Sequence, residues 1–273
     1  MKFDEDLSKI HGYLCGDGCV SKNKDQKKHK YYRTDLRNTN LTILKDFQSR
    51  VYNYFNIKPK IYSNQRATVH SKKIYYLLTN RFNSFYSKEW KMPNLNKNNL
   101  KFWLRAFYDC DGWVELQKAK SRTISLECIN ESGIKSIQKG LLKFKINSSL
   151  KYKKAKKIWR FRICGLDDIK RFSSYIGFLH PNKARKLDNV LNSYKDYIWD
   201  IFTSKKSLLK FIKNMGKIRK GRNQIKIHTI KLKNLLNLKK VLSTYKIRSK
   251  IYGPWKNQYG SVNYYLILNK RDL

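Results

Sequence analysis

One short pattern occurs twice in this sequence: residues 10–18 read IHGYLCGDG and residues 104–112 read LRAFYDCDG. In both copies an apolar run with helical spacing ends in an acidic residue that is followed by glycine. The two acids, Asp17 and Asp111, are 94 positions apart. This repetition predicts that the chain contains two related halves, each with a helix that ends at an acid.

Small residues lie four positions apart within each predicted helix. They are Gly12 and Gly16 in the first copy, and Ala106 and Cys110 in the second. Residues at this spacing share one helical face, and small side chains there allow two helix backbones to approach closely. The two helices are therefore expected to pack against each other and to bring their terminal acids together.

The two acids are unfavourable for stability alone. A carboxylate at a helix C-terminus meets the negative end of the helix dipole, at a cost of about 0.3–1 kcal/mol. Two neighbouring carboxylates also repel each other unless a cation lies between them. A single Asp-Gly pair is most simply a turn after a helix. Two copies in register with a repeat favour a divalent-cation site instead, and hard oxygen ligands suit Mg²⁺.

The segments that follow the two acids repeat as well, and a third copy occurs near the C-terminus. Each copy has an alternating strand pattern, a helical pattern and further strand patterns, in residues 31–70, 123–164 and 225–268. IKPKIY at 57–62 and IRSKIY at 247–252 agree at four of six positions. The Asp-Gly run is absent from the third copy, which we interpret as a β-α-β-β extension.

The composition limits the class of protein. Lys and Arg number 61 against 19 Asp and Glu, which gives a net charge of +42, while 41% of residues are hydrophobic and 14% aromatic. A disordered basic tail is excluded because it could not bury enough apolar surface. A polyanion such as nucleic acid is the expected partner. The cations are spread along the whole chain, which argues against a membrane-surface helix.

Other functional classes lack their residue patterns. Five cysteines without a C-x-x-C pair argue against a disulfide framework and a zinc finger, and favour a reducing compartment. The longest apolar runs are too short to span a bilayer, so a soluble, intracellular protein is expected. The five His form no metal-ligand spacing, and Pro93 follows Glu89-Trp90-Lys91 too closely for a nuclease strand. A glycine-rich phosphate loop is absent.

Polar segments at 91–99 and 203–223 predict the domain boundaries. We expect a first half at 1–97, a second half at 98–202 and a basic extension at 203–273. Residues 201–273 hold 19 Lys and Arg but a single acid, Asp272. The extension is either a solvated basic surface or an accessory half-repeat that binds nucleic acid.

The two nine-residue runs resemble the motif of the LAGLIDADG homing endonuclease family, in its monomeric two-motif form. The resemblance covers about residues 7–195, and residues 176–183 (IGFLHPNK) look like the start of the family's closing helix. It implies that Asp17 and Asp111 are the catalytic, metal-binding acids.

The resemblance extends to the neighbouring motif positions. It implies that Gly16 and Cys110 offer backbone carbonyls to the metal. The preceding position, usually structural, is Asp109 in the second motif but Cys15 in the first, where the sequence departs from the family pattern.

The family resemblance also implies the fold. It is an α+β fold in which two pseudo-symmetric αββαββα halves form a β-saddle over DNA, here followed by the β-α-β-β extension. Strands of such a saddle enter the major groove, which carries a distinct pattern of donors and acceptors for each base pair. The candidate DNA-binding residues are Lys22, Lys24, Tyr31, Arg33, Asp35, Arg37, Tyr62, Asn64 and Arg66 in the first half, and Glu115, Gln117, Lys120, Arg122, Lys151, Lys153, Arg160 and Arg162 in the second.

The implied activity is that of a site-specific homing endonuclease, which makes a metal-dependent, staggered double-strand break by phosphodiester hydrolysis. Mg²⁺, or Mn²⁺ in its place, is the expected cofactor. Arg37, Lys72 and Lys73 are candidate auxiliary catalytic residues in the first half. The matching residues of the second half, 165–167, include no Lys, so the two strands are expected to be cut at unequal rates.

Two alternatives on the same fold stay open. One is an intron RNA-splicing maturase, and the other is a DNA-binding regulator that does not cut. Expected partners are a double-stranded DNA target and possibly intron RNA, and the protein is expected to be a monomer in the compartment that holds its target. Met1 and residues 269–273 lack the splice-junction residues of an intein, so an excised or intron-encoded enzyme is expected.

Overall fold

The computed structural model describes residues 3–23, 31–117, 121–194, 199, 204–219, 221–256 and 262–273. The chain divides into two compact units, Met1–Asn192 and Ser193–Leu273, which are described separately. The predicted divisions at 97/98 and 202/203 stay predictions. Within the described ranges, each helix is too short or too polar to cross a lipid bilayer.

The first unit contains the same order of elements twice, α-β-β-α-β-β, and each copy is followed by further helix. The first copy consists of α1 Glu5–Gly16, β1 Gly18–Lys22, β2 Tyr32–Arg37, α2 Leu41–Phe55, β3 Lys60–Tyr62, β4 Arg66–His70 and α3 Lys72–Phe82. The second consists of α4 Lys97–Asp111, β5 Trp113–Gln117, β6 Ser121–Cys128, α5 Glu131–Leu142, β7 Ser149–Lys153, β8 Ile158–Cys164, α6 Leu166–Tyr175 and α7 Pro181–Ser193.

Short polar side chains determine where most of these helices begin. The Asp4 carboxylate accepts a hydrogen bond from the backbone N–H of Leu7 at 2.8 Å and caps α1. The side chains that cap the next helices in the same way are Asn40, Ser71, Asn96 and Asn130. Each satisfies N–H groups that the first turn of a helix leaves without a partner.

The strands of the first unit form two antiparallel four-stranded sheets with matching strand order. The first sheet runs β1-β2-β4-β3 and the second runs β5-β6-β8-β7. Leu36 of β2 and Ala67 of β4 are paired and buried, as are Leu126 of β6 and Phe161 of β8. Because side chains alternate along a strand, the polar residues between them lie on the opposite face of each sheet. The predicted pseudo-symmetric fold of two halves is confirmed.

Helices α1 and α4 pack directly against each other, as the spacing of small residues predicts. A Cβ atom at Gly12 would lie 2.5 Å from the carbonyl oxygen of Trp103, and one at Gly16 would lie 2.5 Å from the Cβ of Cys110. Real Cβ atoms do not come this close, so only glycine permits the approach. Nearby, the Nε1–H of Trp103 donates to Nδ1 of the buried His11 at 2.9 Å and ties the two helices together.

The second unit begins with a helix that the sequence analysis missed. Its elements are α8 Lys205–Met215, β9 Lys217–Ile218, β10 Gln224–Thr229, α9 Leu232–Thr244, β11 Ser249–Lys256 and β12 Val262–Asn269. The sheet order β9-β10-β12-β11 matches the order of the first two sheets. The expected β-α-β-β extension is therefore corrected to α-β-β-α-β-β. Five of the eleven residues of α8 are Lys or Asn, which made the segment look like a linker, yet Leu208 and Ile212 are buried.

Candidate active site

The pairing of α1 and α4 positions the two predicted acids. Asp17 is the residue that ends α1, and its backbone N–H donates to the Tyr13 carbonyl oxygen at 3.1 Å. Asp111 is the last residue of α4, and Gly112 follows it as the C-cap. Both acids thus lie where an interhelical contact leads directly into the first strand of a sheet.

The two acids carry like charges and repel each other. Burial raises the pKa of Asp111 to about 7, and the negative charge of Asp17 adds to this shift. Burial also raises the pKa of Asp17, although a hydrogen bond from Asn38 Nδ2 to Asp17 Oδ2, 2.9 Å long, favours its ionised form. A bound divalent cation would offset both the cost of burying the two ionised carboxylates and their mutual repulsion.

The donor set fits a hard cation with several exchangeable ligands. Among the described residues, no group of three or more His, Cys, Asp or Glu side chains could hold a metal ion. A cation at Asp17 and Asp111 would therefore take its other oxygen ligands from backbone, water or phosphate. That arrangement suits Mg²⁺, which keeps several waters and typically binds through one or two carboxylates.

Lys183 is a site residue that the sequence analysis missed. It lies on α7, and its Nζ donates to the carbonyl oxygens of Tyr108, Asp109 and Cys110 at 3.2, 2.6 and 3.0 Å. This cation neutralises the negative end of the α4 dipole. Burial lowers the pKa of Lys183, while Asp17 and the other acidic groups nearby raise it.

Lys183 changes two expectations. The second half was expected to have no basic residue beside its acid, and α7 supplies one from 72 positions further along the chain. Lys183 lies next to both acids, so the unequal cutting rates stay a prediction. The Cys110 carbonyl, an expected metal ligand, accepts a hydrogen bond from Lys183 in this structure. Lys183 could have been found from the sequence, because it ends the segment 176–183 that resembles the start of the family's closing helix.

Asp109 is a structural residue that connects α4 to the segment before α7. Its carboxylate accepts hydrogen bonds from the backbone N–H groups of Leu179 and His180 at 3.0 and 2.9 Å. Burial raises the pKa of Asp109 to about 6, and these N–H groups oppose the shift. The contact holds the start of α7, and hence Lys183, against the end of α4. Cys15, at the matching position of α1, is buried instead 3.4 Å from His11.

A groove of about 990 Å³ leads from the site onto the polar face of the first sheet. Asp17 and Lys183 lie at the site, and arginines from β2 and β4 line the sheet face. Other lining residues are Arg33, Arg37, Asn38, Thr39, Tyr62, Ser63, Gln65, Arg66, Thr68, His70, Asp109, Cys110 and His180. The positive charge of the arginines that line the groove suits a phosphodiester chain.

Asp35 organises the arginines of this groove. Its carboxylate has no exposed surface and lies 3.3, 4.0 and 3.4 Å from Arg33, Arg37 and Arg66. This burial corrects the expectation that Asp35 contacts DNA directly. The carboxylate instead holds three cations together on the face that lines the groove.

Of the other predicted residues of the first half, Tyr62 lines the groove from the exposed end of β3. Asn64 is exposed in the turn between β3 and β4, and Tyr31 is exposed beside Arg33. Lys22 is exposed at the end of β1, and Lys24 lies outside the described residues. Lys72 and Lys73 begin α3 and are not among the residues that line the groove, so only Arg37 of the three auxiliary candidates lies there.

The polar face of the second sheet carries paired charges. Arg160 lies 2.7 Å from Glu115, and Lys153 lies 2.6 Å from Glu127. Lys151 is exposed on β7. Arg122 and Arg162 are partly buried, and Lys120 and the side chain of Gln117 lie outside the described part of the chain.

Paired helices, two matching sheets and two facing acids define a protein built from a duplicated helix-and-sheet half. A family model described as a LAGLIDADG-like domain matches residues 4–87 and again residues 99–177. These two matches cover more than half of the chain, and the chain belongs to this family.

The chain is also similar to individual proteins. Homing endonuclease I-ApeI of Aeropyrum pernix is 28% identical over 153 residues, which are 52% of this chain and 68% of that protein. A glutamine–fructose-6-phosphate aminotransferase of Methanocaldococcus jannaschii is 26% identical over 254 residues, which are 82% of this chain but 21% of that protein. The chain matches too little of the aminotransferase to carry over its activity.

Solved structures show the same fold. The crystal structure of I-DmoI in complex with DNA and Mn has a TM-score of 0.50 and 17% sequence identity, and the match covers 64% of this chain and 97% of that one. The I-DmoI complex with DNA and Ca also has a TM-score of 0.50, with 67% and 99% covered.

Proposed function

We propose that this protein is a site-specific homing endonuclease that cuts both strands of a long DNA target and leaves staggered ends. One observation carries the proposal: two mutually repelling acids lie at the ends of paired helices, where an arginine-lined groove begins. The name of I-ApeI and the DNA-bound structures of I-DmoI support the choice of activity and substrate. The expected cofactor is Mg²⁺ or Mn²⁺, and Mn and Ca in the I-DmoI complexes support a divalent ion.

In this proposal Asp17 and Asp111 hold the metal, with the Gly16 carbonyl as a further ligand. A bound divalent ion supplies charge neutralisation at the scissile phosphate and a more acidic attacking water. Asn38 donates to one Asp17 oxygen and fixes the orientation of that carboxylate. Lys183 adds a positive charge next to both acids and offsets part of their repulsion.

The groove arginines and the polar faces of the two sheets bind the DNA. Arg33, Arg37 and Arg66 are held as a group by Asp35, which limits the side-chain freedom they would lose on binding. An arginine of fixed orientation can bind guanine through two hydrogen bonds in the major groove. The remaining predicted contacts from both sheets hold the phosphates and define the register on the duplex.

Both acids come from one chain, so a monomer suffices for both strands. A non-cleaving regulator would gain nothing from two carboxylates that face phosphates, because they weaken its affinity for DNA. An RNA-splicing maturase would use the basic surface without needing the acids.

The test is cleavage of a randomised duplex library by the full chain, with Mg²⁺, with Mn²⁺ or with EDTA. We expect discrete staggered products that disappear with EDTA and in Asp17→Asn and Asp111→Asn. Asp188→Asn is the matched control, because this exposed acid on α7 undergoes the same change in charge. Cleavage that persists in Asp111→Asn would refute the two-acid site. Tight binding of intron RNA without any cutting would favour the maturase.

A further inference from the structure

The second unit is a third copy of the half-repeat whose helix has lost the acid. Helices α4 and α8 end alike, at Gly112 and Gly216, whose N–H groups donate to the carbonyl oxygens four residues earlier. The backbone of both glycines is extended, with φ and ψ of −79° and 152° in one and −78° and 139° in the other. This match aligns Asp111 with Met215, which cannot bind a metal through a carboxylate.

The α8 helix has also lost the surface that pairs α1 with α4. The same alignment places Lys210 and Asn214 of α8 at the positions of Ala106 and Cys110. Both α8 side chains are exposed and too long for close contact between helix backbones. The second unit therefore has neither the acid nor the small-residue helix face that would place an acid opposite that of a second helix. Its four-stranded sheet is what the repeat retains.

The face of this sheet opposite α9 carries a row of four side chains, which we call the basic–aromatic row: Lys226, Tyr265, Tyr252 and Lys250. Burial alternates along β10, so Ile225 enters the core while Lys226 faces away from it. The rings of Tyr252 and Tyr265, which are paired across β11 and β12, stack with centroids 5.2 Å apart at 17°. Nζ of Lys226 lies 3.8 Å from the Tyr265 ring centroid, and that of Lys250 lies 5.6 Å from the Tyr252 ring centroid.

The charges on this face are not balanced by acids. Lys226 of β10 is paired directly with Lys217 of β9, and like charges opposite each other destabilise a sheet. Burial lowers the pKa of the adjacent His228, and both lysines add to this shift. From residue 201 onward, Asp272 is the single acid among 19 Lys and Arg. The first two sheets differ, because Asp35, Glu115 and Glu127 neutralise their arginines.

We propose that the basic–aromatic row binds the phosphate backbone of duplex DNA, as a second binding surface that does not cut. The inference rests on the proposed function, because the DNA it binds is the endonuclease substrate. Uncompensated lysines in a row match a line of phosphates. The strand order is that of the two sheets proposed to bind the duplex.

Duplex DNA fits this face better than single-stranded nucleic acid. Proteins bind unpaired bases by stacking them on free aromatic faces. Here Tyr265 has Tyr252 stacked on it from β11 and Lys226 against it from β10, which lies on the other side of β12. The ammonium groups are then the groups left to bind, and they contact phosphates without reading the sequence.

The test compares the binding of full-length variants to a duplex of arbitrary sequence, in EDTA so that no cutting occurs. Lys226→Gln/Lys250→Gln removes two charges from the row. Lys239→Gln/Lys240→Gln is the matched control, since both lysines are exposed on α9, on the other side of the sheet. Fluorescence anisotropy over a range of salt concentrations gives Kd, and thermal melting checks the fold. Lys226→Arg/Lys250→Arg keeps the charge and tests rescue.

We expect the row variant to reduce the slope of log Kd against log[salt] by about 2, since each phosphate contact contributes about 0.9. The arginine variant should restore the slope, and the α9 control should change it little. Equal slopes for all variants would overturn the inference while leaving the endonuclease proposal intact. Loss of affinity for single-stranded RNA alone would also overturn it, in favour of an RNA surface. If the wild-type protein cuts no member of the randomised library with Mg²⁺, while the row variant reduces the slope in EDTA, the endonuclease is refuted and the binding surface is kept.

Discussion

At the scale of single residues, Lys183 is the group on which the site depends most beyond the acids. Its ammonium group is largely buried, and three carbonyl oxygens of α4 accept its hydrogen bonds. A buried cation needs such partners, since an unpaired one would lose its proton or disrupt the fold. The same ammonium group faces the acids and lowers the pKa of both. One side chain thus hydrogen-bonds the end of helix α4 and moderates the repulsion between Asp17 and Asp111.

Lys183→Met should lower both stability and activity. The three carbonyl oxygens lose their charged donor, which we expect to lower the free energy of unfolding by about 1–3 kcal/mol. The single-turnover cleavage rate should fall at least tenfold. Urea unfolding and a cleavage time course measure the two effects. Lys186→Met, an exposed change on the same helix, should alter neither, and a similar loss there would contradict the role of Lys183.

The raised pKa of Asp111 makes stability depend on pH. In the folded state Asp111 stays protonated up to about pH 7, whereas in the unfolded chain it loses its proton near pH 4. The free energy of unfolding therefore decreases as pH rises from about 4 through 7. Without metal, Asp111→Asn should melt several degrees higher than wild type at pH 8 and at the same temperature near pH 4. Adding Mg²⁺ at pH 8 should raise the Tm of wild type only. A difference in Tm that does not change with pH would contradict the coupling.

Cleavage should follow the same ionisation. Mg²⁺ requires the deprotonated carboxylates, so the rate at subsaturating Mg²⁺ should rise as pH increases toward 7 and beyond. Higher Mg²⁺ concentrations should shift the pH profile to lower pH, because the ion competes with the proton.

At the scale of elements, the pairing of α1 and α4 determines where the acids lie. Glycine on α1 and small side chains on α4 allow the backbones to approach within a distance that no larger residue permits. The pairing also buries His11 and Trp103, whose hydrogen bond satisfies two polar groups in an apolar interface. A small separation of the helices would therefore change both the packing and the spacing of Asp17 and Asp111.

Gly12→Ala tests the helix pair one turn away from the acids. The new Cβ would lie 2.5 Å from the Trp103 carbonyl oxygen, so the helices must separate. We expect a loss of about 1–3 kcal/mol in the free energy of unfolding and at least tenfold slower cleavage. Gly140→Ala in helix α5 is the control, because its new Cβ would lie 3.4–3.5 Å from the nearest side-chain atoms, which is ordinary van der Waals contact. Both substitutions replace a helical glycine by alanine and raise the helix propensity by the same amount. Equal stability of the two variants would contradict the close approach.

At the scale of the whole molecule, the net charge of +42 gives the protein a strong long-range attraction for polyanions. The charge is too large to be balanced internally, because acids are outnumbered about three to one. Part of the positive charge is paired with acids on the first two sheets. Binding to a polyanion releases its counterions and makes affinity strongly dependent on salt.

Affinity for a duplex of arbitrary sequence should fall with a slope of about −6 to −10 in log–log plots against salt. Asp17→Asn/Asp111→Asn should bind more tightly than wild type in EDTA, because two carboxylates that repel phosphates are removed. Anisotropy titrations from 50 to roughly 300 mM salt measure both effects. A slope shallower than about −3 would show that few of the lysines reach the phosphates.

Local periodicity predicted the helix and strand patterns, because residues a few positions apart share a helix face or alternate across a strand. The repeat of one motif 94 positions later predicted the two halves and singled out Asp17 and Asp111. The small residues at spacing four likewise predicted the helix pair.

Only the tertiary structure revealed Lys183, the burial of Asp35 and the helix α8. Lys183 joins the site from 72 positions beyond Asp111, and Asp35 looked like any polar strand residue until the arginines around it were seen. Helix α8 was hidden by its lysines, because its apolar face has a partner only when the third sheet folds beneath it. Contacts between distant segments leave no periodic trace in a single sequence, and these contacts decide which charges are buried and which are free to bind.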